Sequence, residues 1–194
     1  MATKDAPIKR ERTLHGLMYG LYYPSVLGAG IVVALQHSAE HSPAIFVAIT
    51  AMTFFSLSFA SAMGREDQYG VGTFVMDAVE AVAIFACFAL LKLIEGPAWL
   101  PHSVRYAYLV LIGVLFMQLG WRRLMHFTTL GYVDLKIALV LCLAFGAYLG
   151  DRQEDLHGLV TLVFVILAGL YVANHPYGQE VPIWFFRRRK KAPG

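Results

Sequence analysis

Charge is what this sequence has least of. Asp, Glu, Lys and Arg make up 15% of its 194 residues, where a soluble domain carries about 25%. Cysteine is scarce too. The two present, Cys87 and Cys142, lie in apolar runs without CxxC or CxxxC spacing, which excludes a disulfide framework and a cysteine zinc site and leaves a packing role. No P-loop, dinucleotide-binding glycine motif, nucleophile elbow or voltage-sensor arginine ladder occurs. Alternation of apolar and polar residues is missing, and with it the pattern of a closed transmembrane barrel.

What the sequence has is apolar residues in long runs. The hydrophobic share is 58% and the mean hydropathy +0.58. Runs of about 18 or more residues read as membrane spans, and six are predicted: Leu14–Leu35, Pro43–Met63, Val71–Ile94, Val104–Gly120, Leu130–Leu149 and His157–Ala173. The expected fold is all-α, a polytopic membrane protein of six transmembrane helices. Residues 1–13 and 176–194 form polar tails around a membrane domain at 14–175. The first run lacks a small-residue cleavage site and reads as a span rather than a removed signal peptide.

Basic residues set the orientation. Lys4, Lys9, Arg10 and Arg12 precede the first span, Arg65, Arg122 and Arg123 lie in the second and fourth connections, and the tail carries "FFRRRKK". An even number of spans puts all of these on one side. Both termini are therefore expected in the cytoplasm, with the protein in a plasma or bacterial inner membrane. The net charge of +3 then reflects anchoring to anionic lipid, not nucleic-acid binding. "FASAMGREDQYGVGT" (59–73) and "FGAYLGDRQEDLHGLVT" (145–161) share Phe, small residues, Gly, an Arg with two acids, then Gly and Thr. On opposite sides of the membrane they suggest a 3+3 inverted repeat.

Charges inside the spans carry the functional reading. Entering at Val71, the third span places Asp77 about 9 Å deep and Glu80 about 14 Å, on one face. Asp134 and Lys136 enter in the fifth span from the same side. A charge near a helix centre costs about 2.5–3.5 kcal/mol even on the mild insertion scale, so each needs a partner or water. Asp134 and Lys136 suit a structural ion pair, Lys136 reaching Asp77 or Asp134. Glu80 suits a proton or cation pathway, because a carboxyl held out of water takes up and releases protons in the physiological range. Pro24 is expected to kink the first span, with Ser25 bonding what the proline frees.

The first outward connection contains His37, Glu40 and His41 in an H-x-x-E-H arrangement. Pro43 follows at once and no domain exists to hold a peptide, so a zinc peptidase is excluded. His102 and His157 mark the other two outer connections, beside carboxylates in the last. Together these residues suggest a vestibule that charges below pH about 6.5, or simple solvated caps. They also have the ligand types for zinc or copper. With the inner His15, His126 and His175 they form two histidine layers, as in a diheme bundle, but at span ends rather than within spans. No cofactor is expected.

The function expected is a channel or transporter for protons, cations or a small polar solute. Its path passes Glu80 and Asp77, modulated from outside by the histidines. A chain this small is expected to form a homo-oligomer in the lipid bilayer. The alternative is a non-catalytic subunit among other membrane subunits, in an electron-transfer assembly for example.

Overall fold

The computed structural model describes residues 13–38, 43–63, 70–92, 103–124, 133–150 and 154–173. Among them are six helices and no strand. They are α1 (Thr13–His37), α2 (Pro43–Met63), α3 (Val71–Lys92), α4 (Ser103–Leu124), α5 (Val133–Leu149) and α6 (Glu154–Ala173). Three stretches are long and apolar enough to cross a membrane: Thr13–His37, Val71–Leu91 and Ser103–Gly120. The apolar parts of the other three helices, Pro43–Phe59, Leu135–Leu149 and Leu156–Val172, are shorter.

Local chemistry explains several helix ends. Pro43 opens α2, where a missing N–H is no loss and the fixed φ suits the first turn. In α3 the first bond runs from Phe74 N–H to Gly70 O, 3.0 Å. At the end of α5, Gly150 takes the left-handed conformation (φ 56°), and its N–H reaches Gly146 O at 3.2 Å. Glycine carries that φ without strain, so it closes the helix as a C-cap.

Pro24 is accommodated by a local widening of α1. The five residues Met18–Tyr22 form a π-helical turn, and Tyr23 N–H donates to Met18 O across it. A wider turn is one way a helix makes room for a proline ring and its missing donor. Ser25 Oγ donates to Leu21 O at 2.7 Å, its own i−4 carbonyl and not that of Gly20, which lies four residues before Pro24. Tyr19 and Tyr23 stack along the same face, ring centroids 5.0 Å apart, and Tyr23 stacks on Phe55 of α2 at 4.1 Å.

Packing runs around the bundle as α1–α3–α4–α5–α6–α2 and back to α1. Helix α2 also touches α3 and α4, which makes it the most central element. Helices consecutive in the chain alternate in direction, so α1, α3 and α5 begin at what we call the near end and α2, α4 and α6 begin at the far end. An inverted repeat would superpose α1–α3 on α4–α6. The α1·α2 and α2·α3 contacts then have counterparts in α4·α5 and α5·α6, but the α1·α3 contact has no equally extensive α4·α6 counterpart among the described residues. Residues 64–69 and 151–153, at the heart of the two similar stretches, lie outside the described residues.

Burial is inverted relative to a soluble protein. Val82 (69%), Leu141 (64%) and Tyr148 (80%) are widely exposed, whereas Glu80 and His157 are at 0%. Asp77, Lys136, Thr50 and Thr161 are buried with them. A soluble monomer rarely leaves so much apolar surface open.

Candidate functional site: two polar layers

The buried polar side chains fall into two layers, one toward each end of the bundle. The near layer centres on Glu80 of α3. Its Oε2 accepts hydrogen bonds from Ser58 Oγ of α2 at 2.9 Å and from Gln118 Nε2 of α4 at 2.8 Å. Gln118 Nε2 also donates to Ser58 Oγ at 3.2 Å, closing a triangle across three helices. At about 1.5 Å per residue, Ser58 lies about 8 Å and Gln118 about 9 Å from the near ends of their helices, with Glu80 deeper at about 14 Å. Asp77, one turn before Glu80, accepts from Tyr19 OH of α1 at 3.0 Å. Tyr19 in turn lies beside His15, ring centroids 4.4 Å apart.

A cavity of about 30 Å³ opens against this triangle. Its polar lining is Ser58, Gln118, Lys136 of α5 and Tyr171 of α6, and Leu115 and Leu139 close it toward the far end. That volume holds a water or two, and the lining offers the polar partners a buried water needs. Five of the six helices thus contribute to one polar centre, and a sixth supports it through Tyr19.

The far layer is built differently. Fully buried His157 of α6 meets Gly150 O through Nε2 at 2.7 Å and Tyr108 OH of α4 through Nδ1 at 3.2 Å. A carbonyl can only accept, so Nε2 carries the proton and Nδ1 accepts from the phenol. Arg105 Nε donates to Ala147 O at 3.2 Å. The last turn of α5 therefore has three carbonyls satisfied: Gly146 by Gly150 N–H, Ala147 by Arg105 and Gly150 by His157. Helix ends buried in apolar surroundings need such partners. A little deeper, Thr161 Oγ1 donates to Phe46 O at 2.9 Å and lies 2.9 Å from Thr50 Oγ1. Thr50 also donates to Phe46 O at 2.8 Å.

Between the layers the interior is apolar. Leu111, Leu143 and Phe164 are fully buried there, and Phe54 packs 6.5 Å from Phe164, ring to ring.

The structure places Glu80 against Ser58 and Gln118, Lys136 on the cavity wall with those two, and Asp77 against Tyr19 one turn from Glu80. The Asp134 side chain, Glu40, His41 and His102 lie outside the described residues. His37 ends α1 at the far end and is buried, and His157 is fully buried, so neither is a solvated cap. Among the described residues, no group of three His, Cys, Asp or Glu side chains is arranged to hold a metal.

Sequence reasoning missed Ser58, Gln118, Tyr19 and Tyr108. A serine within a span reads most simply as bonded back to its own helix, and a tyrosine near a span end as a membrane-surface anchor. The available signal was spacing: Tyr19 and Asp77 each lie six residues after the start of helices that run the same way, which puts them at one depth. The chain matches no known family, no curated protein and no solved structure.

Proposed function

We propose that the chain is a six-span membrane protein, with both termini cytoplasmic, that carries protons, cations or a small polar solute past Glu80 and Asp77. The observation that carries this reading is the near layer. A fully buried carboxylate is hydrogen-bonded to Ser58 and Gln118, which line a small part-polar cavity, in a bundle whose outer surface is apolar. An intramembrane ionisable group is a functional feature by default, because its burial is costly. Lys136 on the cavity wall and Tyr19 on Asp77 keep the two carboxylates in polar company. The apolar layer of Leu111, Leu143, Phe54 and Phe164 separates the cavity from the far end, so the conformation described is closed on that side. Homo-oligomerisation belongs to the same proposal.

The test is flux in liposomes that contain only this protein, wild type against Glu80→Gln, at outer pH of about 5.5 and 7.5, which bracket the reference histidine value. Flux above protein-free vesicles that requires Glu80 is the expected result. Folded protein that moves no proton, alkali cation or small neutral solute would overturn the reading and favour a subunit of a larger assembly.

A further inference from the structure

We infer that the species exchanged at Glu80 is a proton and that alkali cations are excluded; this rests on the transport reading above. Three features of the near layer lead to it. First, the groups that meet Glu80 Oε2 are donors. Ser58 gives its hydroxyl hydrogen at 2.9 Å and Gln118 gives an N–H at 2.8 Å. Gln118 Nε2 has two acceptors in reach, Oε2 and Ser58 Oγ at 3.2 Å, which fixes the amide with its nitrogen toward the carboxylate. A hard cation needs a shell of oxygen lone pairs, and here that position is filled by hydrogens.

Second, Lys136 brings an ammonium to the same cavity wall. It favours a carboxylate anion nearby and repels a metal cation entering the cavity. Third, the cavity of about 30 Å³ has room for a water or two. A hydrated alkali ion does not fit, and a dry one would find too few oxygens.

A proton needs none of that room. Glu80 is reached from the cavity through Ser58 on its wall: water gives a proton to Ser58 Oγ as Ser58 gives its own to Glu80 Oε2, so the carboxyl becomes neutral, the serine is unchanged and the water is one proton poorer. Gln118 can then turn its amide so that Oε1 accepts from the new O–H, while Ser58 reorients its hydroxyl. Release reverses each step. The charged and titratable groups around Glu80 among the described residues are Lys136 from α5 and Tyr171 from α6 on the cavity wall, Asp77 one turn away on α3, and Tyr19 and His15 from α1 behind Asp77. Helices α2 and α4 present the neutral Ser58 and Gln118. Gln118 is a positioning residue in this scheme and Glu80 the exchanging one.

The experiment uses the full chain in vesicles loaded with a pH-sensitive dye or, separately, with dyes for sodium or potassium. Three proteins are compared: wild type, Glu80→Gln and Gln118→Met, each with an unchanged gel-filtration profile. The expected result is proton flux in wild type, none above protein-free vesicles in Glu80→Gln, and no sodium or potassium flux in any. In Gln118→Met the pH of half-maximal proton flux moves upward, since the anion has lost a donor; a purely structural role would lower the rate without moving that pH. Sodium or potassium flux that Glu80→Gln abolishes would overturn the inference and leave the transport reading standing. Absence of every flux would remove both.

Discussion

The two polar layers contain similar chemistry and are built for different ends. In the near layer the polar atoms converge on a side-chain carboxylate beside a cavity. In the far layer they converge on backbone carbonyls at the end of α5, with fully buried rings filling the space. One arrangement leaves room for water and for an amide to turn; the other closes three orphan carbonyls and leaves no play. Burial alone does not separate them, since Glu80 and His157 are both at 0% exposure. What separates them is whether the hydrogen-bonding partner can change state. A carboxylate can accept a proton, and a backbone carbonyl cannot give up its lone pairs to anything but another donor.

That contrast yields opposite predictions for the two layers. Glu80→Gln keeps the side chain's size and an oxygen for Ser58 and Gln118, so it should leave the fold intact. Proton flux should fall about a hundredfold, the scale of a lost acid–base group, while the thermal midpoint moves by no more than about 4 °C, equivalent to about 1 kcal/mol for a domain this size. A large fall in the midpoint would make Glu80 a structural residue and erase the contrast. His157→Ala should do the reverse. It strips the partners from Gly150 O and Tyr108 OH, at about 1–3 kcal/mol for each buried group left unmade, and opens a void as well. The midpoint should drop by about 10 °C, read by scanning calorimetry or a thermal-shift assay in detergent. Flux per folded molecule should stay at the wild-type level.

Much of this contrast was legible in the sequence and its sharpest part was not. Solid apolar runs with short connections gave helix positions close to those described. The expected span Pro43–Met63 coincides with α2, and Val71–Ile94 shares its start with α3, which is described as far as Lys92. Helix direction followed from counting, which put Asp77, Glu80 and Lys136 near one end. The partners were hidden because a span pattern records which residues are apolar and not which faces meet. Ser58 is one of several hydroxyls spread around α2, and only the packing of α2 between α3 and α4 singles it out. His157 has the same letters around it as a solvated cap. Its role depends on the left-handed Gly150 turning a carbonyl toward it, a backbone event that one glycine in a sequence does not announce. Glycines four apart, Gly16 with Gly20 and Gly146 with Gly150, read alike as close-packing positions. Gly146 touches the Tyr108 ring, whereas a Cβ at Gly16 or Gly20 would meet nothing within 4 Å.

Gly146 sharpens the claim that the far layer has no play. A Cβ added there would lie 2.6 Å from Tyr108 Cζ, and Tyr108 is held by His157. Alanine would gain about 1 kcal/mol of helix propensity but force the ring to move in a filled core, at about 1–3 kcal/mol. The net expectation for Gly146→Ala is a loss of about 1 kcal/mol, against a small gain for Gly20→Ala, where the same methyl has open space. Equal effects on the two midpoints would mean that the far layer yields more easily than its contacts imply.

Thr161→Val makes the smallest and most discriminating change. Valine keeps the shape and removes the hydroxyl that donates to Phe46 O beside Thr50 Oγ1. Phe46 O keeps the Thr50 bond at 2.8 Å, and Thr50 keeps its acceptor, so nothing buried is left without a partner. Interhelical hydrogen bonds of this kind are worth about 0.6 kcal/mol on average in a membrane bundle, and the midpoint should fall by about 2 °C or less. Flux should not change, because the pair lies beyond the apolar layer from Glu80. If flux did fall with so small a loss of stability, Thr50 and Thr161 would belong to the path, and the layer of Leu111, Leu143, Phe54 and Phe164 would be a barrier that opens during the cycle.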